Sequence, residues 1–137
     1  YRSSDKGGAV MYFHMEDVRD ALLQPNLSDE DVAESTEYVD GLAARLGVSP
    51  ERIRTPVAYP IRQLALFYAL MVCARNASAM TSGRNMEAGD DPYEKKRAIY
   101  EREYMRWEAR ISAETFTGAE GKDLGESFPL TAKVGRG

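Results

Sequence analysis

The chain has 137 residues, 43% hydrophobic and 29% charged, with one cysteine and one histidine. That length suits a single domain with a core of its own, and the lone Cys73 excludes an intrachain disulfide and a multi-cysteine metal site. The net charge of −4 divides unevenly, with 6 basic and 11 acidic residues in 1–60 against 12 and 11 in the rest, so there is no overall cationic footprint for nucleic acid.

Residues 1–10, YRSSDKGGAV, are polar and Gly-bearing and read as a flexible N-terminus, with Met11 a candidate natural start. They contain no apolar signal-peptide core. The expected setting is therefore the cytoplasm or a particle assembled there. Met15, Val18 and Leu22 at i, i+3 and i+7 predict a short helix over residues 15–23, broken at Pro25-Asn26. His14, alone of its kind, reads as a solvated or helix-capping residue.

Ser28 starts the next helix. Asp31 completes a capping box, and Leu27 and Val32 are placed to close a hydrophobic staple. Asp29, Glu30 and Asp31 complement the positive helix end. They lack the D-x-[DN]-x-[DN]-G spacing of a calcium loop. Val32, Ser35, Val39, Leu42, Ala43 and Leu46 share one face, and Gly47 is the stop. Ser49-Pro50 predicts a one-turn helix. Residues 55–60 read as a connector bracketed by Pro56 and Pro60.

Residues 64–74 read LALFYALMVCA, eleven apolar positions with no polar face. A helix over residues 60–79 that is apolar all round must be covered on every side. Its apolar run is too short for a bilayer, which takes ~20 residues. It is expected to be the post of a small helical domain, with Cys73 a small buried hydrophobe within it. Residues 80–91 read as a loop. Asp91-Pro92 then starts a long helix to about Ala113.

The wheel of that helix has three sectors. Tyr93, Tyr100, Tyr104, Trp107 and Ile111 should cover the post. Glu94, Glu101 and Glu108 form one flank, and Lys95, Arg102, Arg106 and Arg110 the far side. One reading is a solvated amphipathic helix. The other is that flanks of opposite sign let one copy face the next, a heterologous contact that can close into a ring. From Glu114 the pattern ends in a polar stretch with glycines, followed by an apolar-basic tip, Phe128, Pro129, Leu130, Lys133, Val134 and Arg136. That tip is either a frayed terminus or an arm that orders on a partner.

Motifs for catalysis are missing: no Gly-rich phosphate loop, HExxH, GxSxG or CxxC occurs. The long helix separates its aromatic residues from its basic ones, whereas single-strand binding interleaves them. The expectation is a non-enzyme without cofactor or metal. A helical enzyme with a scattered site is the distant rival.

The order of MEDVRDALL, a capped LSDEDVAESTEYVDGLAARLGV, a proline-led apolar helix containing Tyr68, then GDDPYEKK and a long Tyr/Arg/Glu helix resembles the head–tail connector (adaptor, head completion) proteins of tailed phages, prophages and gene transfer agents. The resemblance covers about residues 11–113. It implies a homo-oligomeric ring, commonly of twelve copies, docked under the portal protein at the capsid vertex, with a tail-side connector or stopper protein beyond. DNA passes through the lumen without specific binding. It also implies that the C-terminal extension reaches the portal, which makes the tip residues 128–136 the docking arm.

The fold expected is all-α: a small bundle of four main helices around a buried central helix, with an extended C-terminal arm. The divisions expected are a loose N-terminus at 1–10, a helical adaptor domain at 11–113 and an extension at 114–137. The function expected is a structural virion protein of the neck, without membrane contact. The alternative is a small DNA-binding or packaging accessory protein of a phage, using the basic row of the long helix.

Overall fold

The computed structural model of the chain describes residues 12–81 and 91–118. Four α-helices lie among them: α1 (Asp29–Arg45), α2 (Tyr59–Thr81), α3 (Pro92–Glu108) and α4 (Ala113–Thr117). Short 3-10 turns occupy Met15–Asp17, Gln24–Asn26 and Pro50–Arg52. The described residues are 72% helical and contain no strand, so the fold is all-α. The expectations for residues 1–11, 82–90 and 119–137 lie outside the described residues.

The helix expected over residues 15–23 does not form. One 3-10 turn ends at Asp17, Val18 is extended, and another turn begins at Gln24. Asp20 is the physical reason. Its Oδ1 accepts the amides of Leu22 at 3.0 Å and Leu23 at 3.1 Å, a local side-chain bond in place of the helical ladder. Pro25 then sits in the first turn of the second 3-10 segment rather than acting only as a breaker. The segment still delivers Tyr12, Phe13, Val18 and Leu23 to the core, while Met15 points outward.

α1 begins as its sequence predicts. Ser28 Oγ accepts the Asp31 amide at 3.2 Å, and Asp31 Oδ2 accepts the Ser28 amide at 3.1 Å. Its end is a Schellman turn: the Val48 amide reaches Ala43 O and the Gly47 amide reaches Ala44 O. Gly47 takes φ +83° there, a conformation that costs an L residue roughly 1–2 kcal/mol. Ser35, Val39, Leu42 and Ala43 are buried, as their spacing requires.

α2 carries the apolar run, and its buried stretch includes Ile61, Leu64, Ala65, Ala69, Leu70, Val72 and Cys73. α1, α3 and α4 all pack against it. Ser35 Oγ donates to Ala65 O at 2.7 Å and Asn76 Nδ2 to Asp31 Oδ1 at 2.9 Å, so α1 and α2 run antiparallel. Burial pushes the Cys73 thiol up to about 12, which keeps it neutral and unreactive at ordinary pH.

α3 returns antiparallel to α2. Asp91 accepts the Tyr93 and Glu94 amides on Oδ1, and Ser78 Oγ donates to its Oδ2 at 2.6 Å, tying the start of α3 to the last turns of α2. Tyr93, Tyr100, Tyr104, Trp107 and Ile111 all pack against the core, as the wheel predicts. Ring pairs mark the seam, with Phe67 stacked on Tyr100 at 5.7 Å and Tyr59 edge-on to Trp107 at 5.6 Å.

The long helix is shorter than expected, ending at Glu108 rather than near Ala113. Tight bonds from the Arg110 amide to Trp107 O and from the Ile111 amide to Glu108 O close it off. Ser112 then opens α4, its amide donating to Thr115 Oγ1 at 3.0 Å. Folded structure thus continues past Glu114. Phe116 is 1% exposed within the core, and its carbonyl accepts the Arg54 amide at 2.8 Å. Gly118, at φ +84°, caps α4.

Candidate functional site

α3 divides into a packed side and an open side. At 3.6 residues per turn, Lys95, Ile99, Arg102 and Arg106 recur on one stripe, and all four are exposed. Met105 and Arg110 border them; Met105 is 55% exposed and Ile99 42%. Arg106 Nη1 pairs with Glu103 Oε2 at 2.9 Å, within the same helix. Arg110 lies over the Trp107 ring, 4.7 Å from its centroid. Lys95 and Arg102 have no partner among the described residues.

The acidic flank is engaged within the chain. Arg97 grips Glu94, with Nη2 to Oε2 at 2.7 Å, and also bonds Glu101. That guanidinium is the main reason the Glu94 carboxyl sits below the usual carboxylate range. Glu108 accepts the hydroxyl of Tyr38 from α1. Burial and that carboxylate together push the Tyr38 phenol up, so it stays a donor. Tyr38 also stacks on Tyr68 at 4.1 Å and meets Tyr104 edge-on at 5.7 Å. The arm residues Phe128, Pro129, Leu130, Lys133, Val134 and Arg136 lie outside the described residues.

One cluster was not visible in the sequence. Asp20, whose side chain is 3% exposed, accepts Lys96 Nζ at 2.9 Å and the Tyr100 hydroxyl at 2.6 Å. Burial works to raise its pKa, but the bonds from Tyr100, Lys96 and the Leu23 amide outweigh it and leave the carboxyl below its ordinary value. The cluster borders a cleft of about 650 Å³ that Asp17, Arg19, Arg62, Leu66 and Phe67 also line. Arg62 Nε is buried without a hydrogen-bond partner, 3.6 Å from Asp17 Oδ2. Asp20 is saturated by its donors, so it is a clasp between the N-terminal segment and α3 rather than a proton acceptor. No sequence signal pairs residues 76 apart, so only folding brings Asp20 to Lys96.

α1 presents a second open face. Glu30, Ala33, Glu37, Asp40 and Ala44 recur at helical spacing and are exposed. Asp40 accepts the Tyr12 hydroxyl, while Glu30 and Glu37 have no partner among the described residues. Comparison of the chain with protein-family models, with curated proteins and with solved structures finds no match.

Proposed function

We propose that this chain is a structural subunit of a phage-type head–tail adaptor, forming a ring between the portal and the tail-side connector or stopper through whose lumen DNA passes. In this reading α2 is the central post of a small bundle and α3 is a wall helix. The Phe128, Leu130 and Val134 tip, with Lys133 and Arg136, docks on the portal. What carries the reading is the two-sided build of α3. Its aromatic row is packed, while Lys95, Ile99, Arg102 and Arg106 form an outward row that a neighbour can cover. The kind of assembly is suggested by the sequence resemblance of the Ser28-capped helix, the proline-led apolar helix and the GDDPYEKK segment; the short first helix of that pattern does not form.

Negative-stain imaging of the purified chain, with and without its portal, tests the reading. Rings seated on the portal are expected, and weaker seating when Phe128 and Leu130 are both replaced by Ser. A chain that never binds the portal defeats the adaptor reading, and unchanged seating of the double variant defeats the arm.

The same exposed basic row favours a second reading, a DNA-binding or packaging accessory protein. A gel shift with duplex DNA separates the two, because phosphate contacts weaken steeply as salt rises. The adaptor reading expects no retention at physiological salt.

A further inference from the structure

Lys95 and Arg102 have no anionic counterpart among the described residues, Arg106 has only the exposed Glu103 beside it, and the acidic flank of the helix is occupied by Arg97 and Tyr38. α1 offers such a counterpart. Among the described residues Glu30 and Glu37 have no partner, and Asp40 keeps Oδ2 open while Oδ1 accepts the Tyr12 hydroxyl. These three stand at steps of 7 and 3 residues along the outer face of α1, and Lys95, Arg102 and Arg106 at steps of 7 and 4 along that of α3. At 1.5 Å per residue the two rows span about 15 and 16.5 Å. One pair also fits in size: at an offset of 66 positions, that of Arg106 from Asp40, the exposed Ile99 of α3 comes opposite the small, exposed Ala33 of α1.

The fold sets the direction of the match. α1 and α3 both run antiparallel to α2, so they are parallel to each other. Tyr38 meets Tyr104 and Glu108, which places α1 residues level with α3 residues 66–70 positions later. A rotation about an axis along these helices moves a copy sideways without changing its height. Such a rotation brings α3 of one copy alongside α1 of the next, in parallel and nearly level. Lys95 with Glu30, Arg102 with Glu37 and Arg106 with Asp40 are offset by 65 or 66 positions, within about one turn of that level.

We infer that the outer face of α3 on one copy docks in parallel on the outer face of α1 on a second copy, with Lys95, Arg102 and Arg106 over Glu30, Glu37 and Asp40. The inference rests on the proposed self-assembly and names its surface. The contact is heterologous, because two different faces meet, so each copy keeps one free face and the chain of contacts ends only by closing. Ion pairs of this exposed kind give specificity, register and salt dependence more than tightness.

Glu37→Arg and Arg102→Glu test it, each in the full chain, by sedimentation velocity at low and high salt, with far-UV circular dichroism as the check on folding. The wild-type chain is expected to associate at low salt and to dissociate at high salt. Each variant alone is expected to associate far more weakly than the wild type at low salt, because its central pair, residue 37 against residue 102, then carries like charge. An equimolar mixture is expected to associate again, since the reversed position 37 of one variant meets the reversed position 102 of the other, and the unaltered faces also match. A wild-type chain that is monomeric at low salt, single variants that associate as the wild type does, or a mixture that stays monomeric would each overturn the interface. Variants that still form rings on the portal would overturn the interface and leave the adaptor reading standing. Mixing rescue without any portal binding would do the reverse.

Discussion

α2 and α3 lie side by side and bury their residues in different ways. α2 is covered on most of its circumference, and every residue from Ala69 to Ala74 is buried. α3 has no buried residue at all; its aromatic rings are only half covered, and its basic row faces out. The physical cause is composition. A stretch without polar side chains gains from every neighbour that excludes water, whereas a helix of alternating Tyr, Arg and Glu gains from one neighbour and loses by being enclosed. One helix is therefore committed to the core, and the other leaves a row of charged side chains exposed.

The sharpest test of that contrast is Leu64→Ala. Leu64 is fully buried in α2, and its truncation should cost about 2–5 kcal/mol, read as a lower urea midpoint. A loss well under 1 kcal/mol would show that α2 is loosely packed and the comparison wrong.

Asp20→Ala comes next, at about 2–3 kcal/mol. It leaves Lys96, Tyr100 and two amides without their acceptor, although Lys96 keeps partial access to water. The effect should depend on pH. Because the folded pKa of Asp20 lies below its ordinary value, its stabilisation is present above the unfolded pKa of about 4 and fades as pH falls through the folded value. The gap between wild type and variant should therefore be wide near neutrality and narrow in acid. A gap that does not change with pH would remove the carboxylate from the account.

The smallest expected effect is that of Arg102→Ala, within about 0.5 kcal/mol, because the side chain is exposed and unpaired among the described residues. The same melt that registers Leu64→Ala should barely register it. A large destabilisation would mean that the outer face of α3 serves its own fold and is not left over for another chain.

Legibility followed the range of the interaction. The Ser28 box, the Gly47 stop, the Asp91 cap and the aromatic row of α3 depend on residues within a turn or two of each other, and all are readable from spacing. The N-terminal segment misled because Met15, Val18 and Leu22 imitate a helical face, while Asp20 satisfies the local amides by another route. α4 escaped because one aromatic residue in a polar stretch makes no period. Phe116 has weight only against a core that already exists. The acidic flank was visible as a row of glutamates, but that Glu108 is held by Tyr38 follows from how α1 lies beside α3.

By itself the sequence determined the helical class of the described residues, the starts of α1 and α3, the stop of α1 at Gly47 and which helix is too apolar to stand in water, because backbone hydrogen bonding and the 3.6-residue period act over a few neighbours. Tertiary structure alone decided the Asp20 clasp, the anchoring of α4 and the parallel, level placement of α1 and α3 with their charged faces outward. Those features join residues tens of positions apart, and their partners come within reach only once the core has set the distances between helices.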